Sequence, residues 1–270
     1  MNRIDAKFAA LQRGGEKALI PFVTAGDPDL KSTLEILHVL EQSGADLIEL
    51  GIPFSDPMAD GPTIQRSSER ALKHGTSLPQ ILRLVRRFRQ DSEIPVVLFG
   101  YYNPFLRYGL RRLAEDARAA GADGILCVDL PPEESGELKR WSRARGLHNI
   151  FLLSPTSDNG RIRLVAREGS GFIYYVSLTG VTGARKRLES RLRTQVDRVR
   201  RYTLLPVGVG FGVSTPQQAA WLASFADAVV VGSALIDAMA RARDKKNKLN
   251  RIGHLVSSLK RAMRGQVHKD

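Results

Sequence analysis

The chain has 270 residues, of which 43% are hydrophobic and 26% are charged, a balance typical of a globular protein with a large core. No apolar run approaches the roughly 18 residues of a transmembrane helix, and the opening MNRIDAKFAALQRGG lacks the apolar centre of a signal peptide. The single cysteine, Cys127, excludes a disulfide within the chain, and the apolar run around it favours a buried, unreactive thiol. We therefore expect a cytoplasmic protein.

The net charge of +13 is concentrated near the C-terminal end. Residues 241–270 contain ten Lys or Arg and two Asp, which gives this segment a net charge of +8. A basic segment can attract nucleic acid or an anionic membrane. This one has no interleaved aromatic residues and no recognised nucleic-acid motif, so we expect a solvated basic helix or tail.

Short apolar segments alternate with helical patterns along the chain, after a first helix predicted over residues 1–14. Eight segments have the length and apolar content of buried strands. In chain order they are ALIPFVTAG from Ala18, DLIELGIP from Asp46, PVVLFGYYN from Pro95, GILCVDLP from Gly124, NIFLLSPT from Asn149, GFIYYVS from Gly171, LPVGVGFG from Leu205 and DAVVVGS from Asp227.

The clearest helical patterns lie between these strands. Residues 29–43 and 106–120 each place apolar side chains on one face and are followed by glycine, a frequent helix stop. Residues 214–216, Ser-Thr-Pro, read as a cap and first turn of another helix. Residues 249–263 predict an additional helix after the last strand unit.

Alternating strands and helices predict parallel βαβ units. Eight such units, with strands apolar on both faces, favour a closed (β/α)₈ TIM barrel with an extra N-terminal helix beneath it and an extra C-terminal helix. We expect a single domain over residues 1–270, in which 241–270 form the basic helix or tail. The alternative is an open doubly wound sheet, but its GxGxxG fingerprint is missing after the first strand, where the turn reads TAGDPDL.

Reactive groups of such barrels lie at the carboxyl ends of the strands. Glu49 interrupts the apolar second strand; burial there would raise its pKa toward neutrality, as a general acid/base requires. Asp56 and Asp60 follow in a loop rich in Pro and Gly, where aspartate is also an ordinary turn residue. Asp129 ends the fourth strand and Tyr174 lies in the sixth.

Glycines follow the last two strands, where barrels of this kind often bind phosphate through backbone N–H groups. They are Gly208, Gly210 and Gly212 after strand seven, and Gly232 after strand eight, with Ser233 expected to cap the next helix. No His, Cys and carboxylate set has metal-ligand spacing, and no strand ends in a lysine suited to a Schiff base. The pattern thus indicates a cofactor-free barrel enzyme with a small phosphorylated substrate, without naming its reaction.

Several longer motifs occur in one order between residues 8 and 239: PFVTAGDP, ELGIPFSDPMADGPTIQ, YYNP, DLPPEE, SLTGVTGAR, VGFGVS and VVVGSAL. In these motifs the chain resembles the tryptophan synthase alpha chain family. The resemblance implies retro-aldol cleavage of indole-3-glycerol phosphate to indole and glyceraldehyde 3-phosphate.

The resemblance also implies roles for individual residues. Glu49 would be the acid/base, and Asp60 would hold the indole N–H and stabilise positive charge on the ring. Tyr174 would line the substrate, and Thr182, on the loop after strand six that suits a lid, would orient Asp60. Phosphate contacts would come from Gly183, Gly212, Gly232 and Ser233, with Gly210 and Phe211 alongside. The indole pocket would include Phe22, Phe99, Cys127 and Phe211.

A partner is implied in the same way: a beta chain that carries pyridoxal phosphate, receives indole through a tunnel and forms an α2β2 heterotetramer. This chain itself would hold no cofactor. The contact surface would include Pro53, Asp56, Pro57, Asn103 and Pro104. Gly100 stands where a larger residue is expected, which could loosen the pocket wall or the contact with the beta chain. Two alternatives are a stand-alone indole-3-glycerol phosphate lyase and a catalytically idle barrel that acts as a binding partner.

Overall fold

A computed structural model describes residues 1–177, 185–210, 212–242 and 244–265, and the side chains of residues 185–190 lie outside the description. Within it, eight strands form a closed barrel in which each strand pairs in parallel with its neighbour in sequence and β8 pairs with β1. The strands are β1 Ala18–Thr24, β2 Ile48–Gly51, β3 Val96–Gly100, β4 Gly124–Cys127, β5 His148–Leu153, β6 Ile173–Val176, β7 Val207–Gly210 and β8 Ala228–Val231. The (β/α)₈ barrel is confirmed, and the open sheet is excluded.

Helices surround the barrel. Those in the described residues are α1 Arg3–Arg13, α2 Leu30–Gln42, α3 Pro62–Lys73, α4 Leu78–Phe88, α5 Tyr102–Tyr108, α6 Leu110–Ala120, α7 Gly136–Ala144, α8 Asn159–Glu168, α9 Arg185–Arg200, α10 Pro216–Ala223, α11 Ser233–Ala240 and α12 Lys245–Arg264. None of the helices in these ranges is long and apolar enough to cross a membrane.

Two helix predictions have different outcomes. The cap before α10 is confirmed, because the Thr215 hydroxyl accepts a hydrogen bond from the Gln218 N–H and the Gln218 side-chain oxygen accepts one from the Thr215 N–H. The single helix predicted over residues 106–120 is wrong. Gly109, at a φ of 93°, separates α5 from α6, and a left-handed residue cannot continue a helix.

The N-terminal end of the barrel is closed by α1, as predicted. Ile4 and Phe8 of this helix are buried in one apolar cluster with side chains from the barrel interior. Those interior residues include Leu47, Val97, Leu126, Ile150 and Phe172. The opposite, C-terminal end is therefore the one left to form a site.

The basic C-terminal segment is in large part the helix α12, attached to the barrel by a buried lysine. Lys260 is 4% exposed, and its Nζ donates to Asp46 Oδ2 at 2.8 Å and to the Lys17 carbonyl at 3.0 Å. A buried ammonium is tolerable because these acceptors replace its water. The treatment of 1–270 as one domain, and the expected solvation of the basic segment, stay predictions.

Candidate active site

Glu49 occupies the interior of the barrel. It lies between Phe22 of β1 and Val97 of β3 in the register, is 0% exposed, and neither carboxyl oxygen has a hydrogen-bond partner among the described residues. Burial raises the pKa of this carboxyl to about 8, because the charged form has lost its water without gaining a cation. A group in this state is protonated near neutral pH and can donate a proton there.

Asp60 is carried by the loop between β2 and α3. The loop is pinned by two hydrogen bonds, from the Asp60 N–H to the Pro57 carbonyl at 3.0 Å and from Gln65 Nε2 to the Asp60 carbonyl at 2.9 Å. Burial raises the pKa of the Asp60 carboxyl to about 6, and hydrogen bonding with the Tyr101 side chain opposes this rise. Asp60 is therefore a half-buried carboxylate of the barrel mouth rather than an ordinary surface turn residue.

Tyr174 of β6 lies near both carboxyl groups. Its pKa is raised by burial and further by the charges of Glu49 and Asp60. Its hydroxyl packs against Gly210 of β7, where a Cβ would lie only 2.2 Å from the phenol oxygen. The structure thus brings the two predicted catalytic carboxyl groups and the predicted substrate-lining tyrosine close together.

Two aromatic side chains, Phe22 and Phe99, pack together next to Glu49 and Tyr174. The rings of Phe22 and Phe99 meet edge to face, with centroids 5.0 Å apart. Phe22 fits because Gly51 lacks a side chain: a Cβ on Gly51 would lie 2.6 Å from the Phe22 ring. Both aromatic residues were predicted for the apolar pocket, and the structure places them at this end of the barrel.

The predicted phosphate residues that are described lie at the ends of β7 and β8. Gly210 ends β7, Gly212 has a φ of 71° and Gly232 is the residue before α11. Ser233 was predicted to cap α11, and this is wrong: Gly232 is the N-cap, Ser233 is the first helical residue, and no described side chain caps the helix. The N-terminus of α11 still points its backbone dipole at this region, which favours an anion. Thr182, Gly183 and Phe211 lie outside the described residues, so their roles stay predictions.

Gly100 and Cys127 face away from the pocket, so the predicted place of Cys127 in the indole pocket and the predicted effect of Gly100 on the pocket wall are wrong. A Cβ on Gly100 would lie 2.7 Å from the ring of Phe105, a fully buried residue of α5, so Gly100 faces the helix layer and not the pocket. Cys127 is the register partner of Gly100, and paired residues point to the same face of a sheet. In β4 and just after it, the residues that point into the barrel are Leu126 and Val128. The alternation of side chains along a strand could have identified them.

The two segments predicted to meet a partner lie side by side. The rings of Phe54, after β2, and Tyr101, before α5, have centroids 5.3 Å apart, and the Ala59 N–H donates to the Tyr101 hydroxyl at 3.0 Å. Together they form one surface beside the barrel mouth.

Most of the predicted contact residues are accessible on this surface. Asp56 and Asn103 are exposed, and Pro57 and Pro104 are half-buried. Pro53 is buried in the chain itself and offers no surface to a partner, because it lies too close to the end of β2. Two apolar side chains were missed: Met58 is 92% exposed and Leu106 is 49% exposed.

Comparison with known proteins gives a consistent result. A family sequence model described as tryptophan synthase alpha chain matches residues 8–264. The chain is 56% identical, over 97% of its length and 98% of the relative, to a tryptophan synthase alpha chain of Geobacter sp. strain M21.

Solved structures agree with this. The chain is similar to tryptophan synthase subunit alpha of Legionella pneumophila, with a TM-score of 0.92 and 43% identity over 98% of this chain and 99% of that one. It is also similar to a chain in a tryptophan synthase complex of Pyrococcus furiosus, with a TM-score of 0.82 and 39% identity over 90% and 98% of the two chains. The chain therefore belongs to the tryptophan synthase alpha chain family.

Proposed function

We propose that this chain is a carbon–carbon lyase that cleaves indole-3-glycerol phosphate to indole and glyceraldehyde 3-phosphate in tryptophan biosynthesis. The observation that carries the proposal is the unpartnered Glu49 carboxyl, buried beside Tyr174 and Asp60 at the C-terminal end of the barrel. Such a costly arrangement is retained where its chemistry is used.

Glu49 acts as the proton shuttle. Because its pKa is about 8, it enters the reaction protonated and delivers its proton to C3 of the indole ring. The resulting carboxylate takes the proton of the glycerol hydroxyl next to the ring. The carbon–carbon bond then breaks, its electron pair returns to the indole ring, and the hydroxyl carbon becomes the aldehyde of glyceraldehyde 3-phosphate. No net oxidation or reduction occurs.

Asp60 stabilises the charge that this protonation creates. Its pKa of about 6 leaves it ionised at neutral pH, so it can accept the indole N–H and face the positive charge on the ring. The buried strand and the half-buried loop thus keep one carboxyl protonated and the other ionised at the same pH.

The remaining residues hold the substrate. Phe22 and Phe99 supply apolar surface for the indole ring, and Tyr174 closes the interior beneath it. Gly212, Gly232 and Ser233 are suited to the phosphate at the N-terminus of α11. From the family resemblance, Gly183, Phe211 and Thr182 complete the phosphate site, the pocket and the orientation of Asp60.

The chain works with a beta chain in an α2β2 assembly in the cytoplasm. The family name and the similarity to a tryptophan synthase complex of Pyrococcus furiosus support this part of the proposal. Asp56, Pro57, Asn103 and Pro104 form the contact surface, joined by Met58 and Leu106. Pyridoxal phosphate belongs to the beta chain, and this chain supplies it with indole and holds no cofactor.

The two carboxyl groups predict a bell-shaped dependence of kcat/KM on pH. Activity should rise as Asp60 ionises near pH 6 and fall as Glu49 loses its proton near pH 8. Initial rates from pH 5 to 9 with a saturating beta chain would measure both limbs. A profile that stays flat across this range would contradict the assignment of the two protonation states.

Gly210→Ala should lower kcat/KM by roughly tenfold or more, because the new methyl group would overlap the Tyr174 hydroxyl and push it into the substrate space. Gly208→Ala, on the same strand, is the matched control, since its Cβ would meet only ordinary contacts at 3.4 Å. Equal activity of the two variants would show that the position of Tyr174 does not limit the reaction.

The direct test of the function is glyceraldehyde 3-phosphate formation from indole-3-glycerol phosphate, with and without a tryptophan synthase beta chain. Slow cleavage that the beta chain accelerates is the expected result. Fast cleavage indifferent to the beta chain would instead identify a stand-alone lyase. Absence of cleavage in both conditions would leave an idle barrel and refute the proposal.

A further inference from the structure

Tyr101 lies between the acidic loop and the helix that follows β3. It is 4% exposed, and its hydroxyl accepts the Ala59 N–H at 3.0 Å. The same side chain lowers the pKa of the neighbouring Asp60 through hydrogen bonding. Burial, and then the Asp60 charge, raise the pKa of Tyr101, so the phenol stays protonated and able to donate at any pH near neutrality.

Tyr101 is in turn held in place by Asp129. Tyr101 is the residue before α5, and the first N–H of that helix, from Tyr102, donates to Asp129 Oδ1 at 2.7 Å. A carboxylate at this position satisfies a free helix donor and faces the positive end of the helix dipole. Asp129 is exposed and comes from the end of β4, so the contact joins two neighbouring barrel units.

We propose that Tyr101 is a positioning residue for Asp60, and that Asp129 fixes Tyr101 by holding the first turn of α5. The proposal deepens the proposed function, on which it rests for the role of Asp60. Tyr101 therefore connects the Asp60 loop to α5. That helix carries Asn103 and Pro104 of the expected partner surface.

In the part of the chain that the structure describes, other charged or titratable groups near the Asp60 loop come from β2, the end of β4, β6, α3 and α11. Tyr174 faces it from β6, Glu49 of β2 acts on the same tyrosine, and Asp129 acts on Tyr101. Near the start of α3, Thr63 accepts from Arg66 at 3.4 Å and donates to Asp237 of α11 at 3.2 Å. Among the residues that the structure describes, Tyr101 is the one whose side-chain hydrogen bond lowers the pKa of the Asp60 carboxyl, so its hydroxyl can be tested separately.

The first test follows the ionisation of Asp60 by ¹³C NMR in the full-length chain without substrate, with Asp60→Asn to assign the signal. Tyr101→Phe should raise the midpoint by about half a unit or more, since the ionised form loses a donor. Tyr108→Phe is the matched control: it removes a hydroxyl of α5 that bonds Asp116 at 2.6 Å. An unchanged midpoint in Tyr101→Phe, or an equal shift in the control, would overturn the proposal.

The second test compares two changes at Asp129. Asp129→Asn keeps an oxygen that accepts the Tyr102 N–H and should retain most of kcat, whereas Asp129→Ala should lower kcat several-fold with little change in KM. The acidic limb of the pH profile should move to higher pH in Asp129→Ala and in Tyr101→Phe. Identical behaviour of Asn and Ala would remove Asp129 from the proposal. If the wild-type chain fails to cleave the substrate, the proposed function fails, and the NMR titration still decides the role of Tyr101.

Discussion

Glu49→Gln is expected to lower kcat by about a thousandfold or more, because the amide can neither deliver a proton to the indole ring nor accept one from the hydroxyl. The fold should survive, since Gln has the same shape and the site already tolerates a carboxyl without a hydrogen-bond partner. Cleavage assays with and without the beta chain would measure the loss. Retained activity would refute the role of Glu49.

The same substitution should change how stability depends on pH. The pKa of Glu49 rises from an ordinary 4.5 to about 8 on folding, so between these values the folded chain holds a proton that the unfolded chain has lost. Stability contributed by this group is therefore complete below pH 4.5 and falls as pH rises toward 8. At about 1.4 kcal/mol per pKa unit, the free energy of unfolding should fall by about 4–5 kcal/mol between pH 4.5 and pH 8 because of this group.

Urea unfolding at pH 5 and pH 8.5 would detect this difference. Glu49→Gln should remove much of the loss at high pH, and Glu49→Leu should be more stable still, because it also removes the unpaired polar atoms. Glu134→Gln, at an exposed position, is the control and should behave as the wild type. A wild-type stability that does not fall over this interval would show that the buried carboxyl is not protonated as expected.

Such a penalty indicates why activity and stability oppose each other at this site. A leucine at position 49 would complete the apolar interior formed by Leu47, Val97 and their neighbours. The carboxyl group at this position destabilises the fold, but the same burial raises its pKa to the pH at which the reaction needs a proton donor. Natural proteins commonly sacrifice stability in this way at functional sites.

The eight strands could be predicted because buried parallel strands are short, apolar and separated by helical patterns, and each of these features is local. Glu49 was predictable for the same reason, as a carboxyl in an apolar strand. Asp60 was not distinguishable from a turn residue by position alone. The side chain that contacts its loop and acts on its pKa, Tyr101, is 41 positions away in sequence and meets the loop only in the folded barrel.

The failures have a similar physical origin. Gly109 ends a helix because its φ is positive, and a glycine within an amphipathic pattern gives no sign in the sequence that its φ will be positive. Cys127 was assigned to the pocket, and Gly100 was expected to loosen the pocket wall or the contact with the beta chain. Both residues point to the helix layer, which the alternation along each strand would have indicated. Pro53 was assigned to the surface with the rest of its loop, although it is buried in the chain.

Asp60→Asn is expected to lower kcat by about 10²–10³-fold, the usual consequence of losing one charge or donor that stabilises a transition state. Asparagine keeps the shape and can still meet the indole N–H with its oxygen, so KM should change far less. The lost quantity is the negative charge opposite the protonated ring. Because the ionisation of Asp60 sets the rise of activity near pH 6, this limb of the profile should disappear in the variant.

Asp56→Asn is the matched control, since it makes the same change four residues earlier in the same loop, at an exposed position. Without the beta chain it should cleave as the wild type does and keep the acidic limb. If Asp60→Asn also kept that limb, another group would have to ionise near pH 6. Asp60 would then lose its catalytic role and keep only a structural one in the loop.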